Sequence, residues 1–148
     1  MSDILKNYKS LLSVFSIFLL TSLVFADPTD GCELDSNTLF LTSTGDVFYN
    51  SSEAIGGFQF NVDGASVSGT SGGDAAAAGF TVQGAGSTVL GFSFTGSSIP
   101  AGCGTLTSLA LSGSATGLSG IVISDPTGNA LDFSYYVESD DTGGDDGG

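Results

Sequence analysis

The stretch IGGFQFNV at residues 55–62 decides the fold class of this chain. Within it, Phe58, Phe60 and Val62 alternate with polar residues. Because successive side chains of a β-strand point to opposite faces, this alternation predicts a strand with one apolar and one polar face. It favours an antiparallel sheet packed on one side, since the strands of a parallel sheet are apolar on both faces.

Similar short clusters continue on both sides of this stretch, separated by turns rich in Gly, Ser and Asp. The pair Asp63-Gly64 predicts a tight hairpin turn. The alanine tetrad 75–78 is long enough for one helical turn but too short for a stable helix. The pattern predicts an all-β fold, an antiparallel β-sandwich of about nine strands. The predicted strands are 39–42, 46–49, 55–62, 65–68, 80–83, 89–95, 105–111, 121–124 and 130–137.

Two of these strands carry details that a structure can test. In the strand 89–95, the apolar residues Leu90, Phe92 and Phe94 share one face. In the strand 105–111, Leu106 is out of phase with the apolar residues that follow it, which predicts a β-bulge near Thr107 or Ser108.

The amino terminus has the three parts of a secretory signal peptide. Lys6 and Lys9 supply the positive start, residues 11–25 form the apolar core, and the small residue at the end predicts cleavage between Ala26 and Asp27. The alternative is a transmembrane anchor. The apolar run, about 15 residues long, is shorter than the roughly 20 that a spanning helix needs, so we expect an exported protein.

Beyond this cleavage site, composition divides the rest of the chain into three further segments. The last of them, SDDTGGDDGG, has no apolar residue that could dock it on a core, and it lacks the nine-residue period of calcium-binding repeats. We therefore predict a signal peptide at 1–26, a polar N-terminal segment at 27–36, the β-sandwich at 37–138 and an acidic Gly/Asp linker or tail at 139–148.

The charge balance excludes several classes of function. Lys6 and Lys9 are the only basic residues and Asp3 is the only acid before residue 27, so residues 27–148 carry fifteen acidic and no basic side chains. A chain without cations cannot grip phosphates, which excludes nucleic acids and anionic membrane surfaces as partners. The chain has no His and no Trp, so a Ser-His-Asp arrangement is impossible and no indole is available to stack on a sugar. We predict that the protein is not an enzyme.

The two cysteines, Cys32 and Cys103, predict a disulfide bond, because exported proteins reach oxidising compartments. The functional alternatives are a metal pair and a catalytic thiol. Both are disfavoured, since no His is present to join a metal site or to activate a thiolate.

Three further features offer weak candidate sites. Asp27, Asp30, Glu33 and Asp35 crowd one segment and could supply oxygen ligands to Ca²⁺, although they lack the spacing of an EF-hand loop. Such a run is more often a solvated segment, so no cofactor is firmly predicted. Asn50 begins the N-glycosylation pattern Asn-Ser-Ser in a predicted turn. Tyr136 follows another tyrosine on a predicted strand, so one of the two faces solvent and could stack on a sugar or anchor a protein.

Three stretches together resemble cohesin modules. They are IGGFQFNV at 55–62, IPAGCGTL at 99–106 and GLSGIVISDPTGNAL at 117–131, and they occur in the order found in that family. The resemblance covers about residues 37–137. It implies a nine-stranded jelly-roll sandwich that binds calcium-loaded dockerin modules, often around polysaccharide-degrading enzymes. Related sandwiches are carbohydrate-binding modules. None of the matched stretches is a dockerin-contact motif, so no contact residue is carried over.

We therefore expect a secreted, non-catalytic interaction or scaffolding module, located outside the cell or at its surface, that binds a protein partner or a polysaccharide. One alternative is a carbohydrate-binding module. A second alternative is a self-assembling surface or filament subunit, because sandwich edges without lysine invite strand addition, although like charges oppose it.

Overall fold

In the computed structural model, residues 26–138 are described and form an all-β fold with one short α-helix, as the sequence predicts. The predicted tail and all of the predicted signal peptide except Ala26 lie outside these residues. No helix within 26–138 is long and apolar enough to span a membrane. The elements are a 3₁₀ helix (Gly31–Glu33), β1 (Thr38–Leu41), β2 (Asp46–Ser51), β3 (Gly57–Ser71), α1 (Gly73–Ala77), β4 (Thr81–Ala85), β5 (Thr88–Phe92), β6 (Gly102–Ser124), β7 (Ala130–Leu131) and β8 (Ser134–Tyr135).

These eight strands correspond to the nine predicted ones with three changes. The predicted strands 55–62 and 65–68 are both part of β3, and 105–111 and 121–124 are both part of β6. The predicted strand 130–137 is split into β7 and β8. The alanine tetrad contributes to the single turn of α1, as its length predicts.

All eight strands belong to one mixed sheet in the order β4-β5-β3-β6-β2-β1-β8, with β7 paired to β6. Six strand pairings are antiparallel, and the pairing of β1 with β8 is parallel. The sheet is curled. The first half of β3 pairs with β5, whereas further along β3 the N–H of Val67 donates to Gly86 and the hydroxyl of Thr70 donates to Val82. The hairpin of β4 and β5 therefore folds back over the second half of β3.

The predicted hairpin turn at Asp63-Gly64 is wrong. β3 runs through this pair, and Gly64 has a φ of +86° at a shift in register between β3 and β6. Asp63 lies opposite Gly117 and Ala65 lies opposite Gly113, so β6 contains the extra residues. Since β6 is the partner of β3 on both sides of the pair, the left-handed glycine serves a bend in the sheet instead of a chain reversal.

The predicted β-bulge in β6 is present, one residue before Thr107. Val47 lies opposite Thr107, and Phe48 lies opposite Thr105, so Leu106 is the extra residue. Both Leu106 and Thr107 are fully buried as a result.

The core lies on the inner face of the curled sheet. Phe58, Phe60 and Val62 are all buried there, as their alternation predicts. The ring of Phe58 stacks on that of Phe60 at 6.0 Å between centroids, and it covers Gly91 on the neighbouring strand so closely that a side chain at Gly91 would collide with it. The other large, fully buried side chains are Leu39, Val47, Ile55, Val89, Ile99, Leu106 and Ile123.

The predicted disulfide bond joins Cys32 to Cys103, with 4.9 Å between their Cα atoms. It attaches the segment 27–36, which is less polar in its contacts than expected because Leu34 is buried. Gly31 lies against the carbonyl groups of Gly104 and Tyr49, where any side chain would collide. Cys103 lies at the start of β6, so the bond fixes this segment directly to the sheet.

Removal of the disulfide bond should lower the free energy of unfolding by about 4 kcal/mol, because the bond closes a loop of 71 residues in the unfolded chain. Urea denaturation of the Cys32→Ser/Cys103→Ser double variant measures this loss. The reduced wild-type protein is the control and should unfold at the same urea concentration as the variant. Equal stability of the oxidised and reduced proteins would contradict the prediction.

Replacement of Gly91 by alanine should destabilise the fold by about 1–3 kcal/mol, since the new methyl group would displace the ring of Phe58 from the core. Gly69→Ala is the matched control. A Cβ atom there meets only Ala110 at 3.8 Å, so this variant should change the stability by less than about 1 kcal/mol. Thermal denaturation of both variants checks the difference, and equal melting temperatures would refute the packing argument.

Candidate functional site

The outer face of the sheet, formed by side chains of β4, β5, β3 and β6 that point away from the core, is uncharged at its centre. Val122 is 58% exposed and Leu90 is 41% exposed on this face. A shallow groove of about 230 Å³ runs across it, because Gly57 leaves a gap between Phe92 and Ser124. Two adjacent rows of cross-strand neighbours form the centre: Gln83, Leu90, Gln59 and Val122, and then Thr81, Phe92, Gly57 and Ser124.

The shared apolar face of Leu90, Phe92 and Phe94 is thus an outer surface and does not cover the core. The register explains this orientation. Val89 lies opposite Phe60 and is fully buried beside it. Because side chains alternate along a strand, Leu90 must then point outward.

Phe94 follows β5 and is the most prominent side chain beside this face, since 82% of its surface is exposed. The turn that carries it is braced by hydroxyl groups. The Oγ of Ser93 accepts hydrogen bonds from the N–H groups of Thr95 and Ser97 at 3.2 and 2.9 Å. The ring of Phe94 meets that of Phe92 edge to face, with 4.8 Å between centroids. An aromatic side chain is therefore held in solvent in a defined position.

Two carboxylates border the uncharged centre. Asp63 lies further along the outer side of β3 and accepts a hydrogen bond of 2.6 Å from the hydroxyl of Ser119. Asp125 follows the last residue of β6 at the other end. Hydrogen bonds from the hydroxyl of Thr127 and then from the backbone of Asn129 lower the pKa of Asp125, so it stays ionised well below neutral pH.

Tyr136, the candidate binding residue, lies at a different place. It follows β8, at the end of the sheet opposite to β4. Tyr135 packs against the core and accepts a hydrogen bond from the N–H of Leu41, so Tyr136 is the more outward of the two. Its ring is nevertheless half-buried and meets Phe40 edge to face at 5.1 Å. Desolvation raises its pKa, and four carboxylates add to this effect: Glu138, Asp27, Asp35 and Glu33.

The four candidate calcium ligands are not brought together. Asp30 accepts a hydrogen bond from the N–H of Cys32 and caps the 3₁₀ helix. Glu33 accepts hydrogen bonds from the backbone and the hydroxyl of Thr29. Within residues 26–138, no three His, Cys, Asp or Glu side chains form a group that could hold a metal ion. Calcium binding by these two carboxylates with Asp27 and Asp35 stays a prediction.

The turn predicted around Asn50 is wrong, because Asn50 lies within β2. Its side-chain nitrogen, the atom that would carry a glycan, donates a hydrogen bond of 2.8 Å to the carbonyl of Leu34. The hydroxyl of Ser52 donates to Asn37. Glycosylation would replace one of the two hydrogens on this nitrogen and leave one N–H for this bond. Ala26 and Asp27, the predicted cleavage residues, are exposed at the start of the described chain.

A second polar feature, missed from the sequence, lies near the disulfide bond. The buried hydroxyl of Tyr49 donates a hydrogen bond of 2.6 Å to Oδ2 of Asp74 on α1. Burial, followed by this hydrogen bond and the charge of Asp74, raises the pKa of Tyr49 far above its usual value of 10. The phenol therefore remains a donor at every physiological pH. No sequence signal links the two residues, which are 25 positions apart and meet only after α1 packs on β6.

Comparison with protein-family models, with curated proteins and with solved structures finds no match to this chain. The outer face and the pair formed by Tyr49 and Asp74 are consequently interpreted from their own geometry. The sequence places Phe94 on one face with Leu90 and Phe92, but this spacing does not tell whether that face is exposed.

The Tyr49→Phe variant should be destabilised less by alkaline pH than the wild type. In the unfolded chain this tyrosine ionises near pH 10, whereas in the folded protein it keeps its proton, so its contribution is complete below pH 10 and decreases as the pH rises further. Above pH 10, the free energy of unfolding of the wild type should decrease by up to about 1.4 kcal/mol more per pH unit than that of the variant. Urea denaturation between pH 8 and pH 11.5 checks this, and identical slopes would contradict it.

Proposed function

We propose that this protein is a non-catalytic, extracellular interaction module that binds a partner protein through its outer face. The observation that carries the proposal is the exposure of Phe94 on a hydroxyl-braced turn beside the uncharged rows of Leu90 and Val122. Exposed aromatic residues supply much of the energy at protein interfaces, and a turn that is already ordered loses little entropy on binding.

The charge distribution indicates which surface chemistry a partner protein would need. The centre of the face offers only apolar and amide groups, whereas Asp63 and Asp125 lie at its ends, and residues 26–138 contain no base that could balance them. A complementary protein has an apolar centre and cations at its rim, supplied either by Lys and Arg or by bound calcium. Rim charges of this kind act mainly on the rate of association and on specificity.

The finer fold that we propose is a cohesin-like jelly-roll sandwich. The all-β curled sheet is compatible with it, and the stretches 55–62, 99–106 and 117–131 support it by their resemblance. A calcium-loaded, dockerin-like module would then be the partner. The signal peptide predicted at the amino terminus and the disulfide bond support a location outside the cell, where oxidising conditions preserve such bonds.

Non-catalytic binding fits the available chemistry. The chain has no His, and within the described residues no three Cys, Asp or Glu side chains come together in one group. Recognition of a polysaccharide and self-assembly are the alternatives. The same experiment distinguishes them, because polysaccharide binding would depend on Tyr136 and self-assembly would be visible in sedimentation.

The Phe94→Ser/Val122→Ser double variant should no longer bind the partner protein. The wild-type protein, this variant and Tyr136→Ala are immobilised and exposed to the secreted proteins of the source organism. We expect a protein that the wild type and Tyr136→Ala retain but the double variant does not. Purified and measured alone, it should bind the double variant at least about 30-fold more weakly, the effect of losing one central aromatic contact.

Three outcomes would contradict the proposal. The first is that the double variant retains every protein that the wild type retains. The second is binding of a polysaccharide that disappears in Tyr136→Ala, which would establish the sugar-binding alternative. The third is a concentration-dependent assembly in sedimentation that the double variant abolishes, which would make a second copy the occupant of the face. Melting temperatures of the variants control for loss of folding.

A further inference from the structure

A second recess, separate from the outer face, opens between α1 and the loop that precedes β6. It is a cleft of about 500 Å³ beside the disulfide bond. Small side chains line it, with Ala77 and Ala78 on the helix side and Ser98, Pro100 and Ala101 on the loop side. Asp74 is its one charged residue, and Oδ2 of this carboxylate holds the hydroxyl of Tyr49.

The carboxylate of Asp74 is held in place by its neighbours along α1. Gly73 lies so close to the carbonyl of Leu106 that any side chain there would collide, and Ala75 is fully buried. Gly104, beneath the carboxylate, also needs to be small, since a Cβ atom would lie 3.1 Å from Oδ2. The residues on both sides of Asp74 are therefore fixed against β6, and the hydrogen bond from Tyr49 holds the carboxylate at the cleft.

This charge has no counter-ion within residues 26–138. Residues 26–138 contain no Lys, Arg or His, and no hydrogen bond from these residues reaches Oδ1. A half-buried carboxylate loses part of its hydration, which usually a nearby cation compensates. The hydroxyl of Tyr49 compensates one oxygen only. The cleft therefore offers one anionic oxygen that accepts no hydrogen bond from these residues, in a recess that also contains the aliphatic side chains of Ala77, Ala78 and Pro100.

The shape and the charge together select the class of cation. A calcium ion needs six to eight oxygen ligands, and the described residues around the cleft supply a single carboxylate. A guanidinium group binds best through both oxygens of a carboxylate, but one of them is occupied by Tyr49. An ammonium group is a compact point charge that needs one anionic oxygen, and its aliphatic stem can lie along alanine and proline.

We infer that the cleft binds an alkylammonium group, with the ammonium on Oδ1 of Asp74 and the aliphatic stem between α1 and the loop. The side chain of a lysine on another polypeptide and a free aliphatic amine share this chemistry. Neither source depends on the outer face, so the inference stands or fails independently of the proposed function.

The test is an NMR titration of the purified, disulfide-bonded protein. The probes are Nα-acetyl-lysine N-methylamide, n-butylammonium and, as a neutral stem of the same length, Nα-acetyl-norleucine N-methylamide. We expect saturable shifts of the amide signals of Ala77, Ala101 and Gly102 with an ammonium probe and not with the norleucine compound. Equal or stronger binding of the lysine compound identifies a polypeptide lysine as the source, and binding of n-butylammonium alone identifies a free amine.

Three variants make the test specific. Asp74→Asn keeps an oxygen that can accept the hydrogen bond from Tyr49 but removes the charge, so the affinity should decrease at least tenfold while the melting temperature stays close to that of the wild type. Tyr49→Phe keeps the charge and should retain binding. Asp132→Asn, an exposed residue that does not line the cleft, removes the same net charge and should bind like the wild type.

The inference is overturned if neither ammonium probe shifts these signals. It is also overturned if Asp74→Asn binds as well as the wild type, or if the norleucine compound produces the same shifts. A loss in Asp132→Asn as large as that in Asp74→Asn would show that only the overall negative charge attracts the probe.

Discussion

The pairing of β3 with β6 is the interaction on which the rest of the structure depends. These strands, of 15 and 23 residues, are far longer than an average strand, and their ladder shifts register at three points. Each shift bends the pair, and left-handed glycines such as Gly64 and Gly113 make the bends possible. One curled sheet can thus enclose its own core. The outer face, the surface of β6 on which α1 packs and the cleft beside α1 all result from this curvature.

A second constraint is the absence of basic residues from the described chain. Carboxylates here are stabilised by hydroxyl and backbone donors in place of salt bridges, as Ser108 does for Asp46, Ser119 for Asp63 and Tyr49 for Asp74. Such hydrogen bonds fix the position of a carboxylate but leave its negative charge uncompensated. The described residues therefore present only neutral or anionic side chains to solvent.

The two proposed surfaces use these constraints differently. The outer face is broad, shallow and uncharged at its centre, with Phe94 held ready at one side, which suits a protein with an apolar patch. The cleft has a volume of about 500 Å³ and contains one charged residue, which suits a single extended side chain or a small amine. A lysine on a protein surface could bind in the cleft, just as an apolar patch could bind to the outer face.

The sequence by itself determined the fold class, the disulfide bond and the buried face of β3, because each depends on a local period or on a residue type without alternatives. Only the tertiary structure decided which apolar face is the outer one. Leu90, Phe92 and Phe94 form the same stripe whether they face the core or solvent, and the pairing of Val89 with Phe60 makes the choice. In the same way, Asp63-Gly64 is compatible with a turn or with a bend, and the continuous partner strand β6 selects the bend. The contact of Tyr49 with Asp74 joins distant parts of the chain, so no local pattern could predict it; it exists because glycine at position 73 lets α1 lie directly on β6.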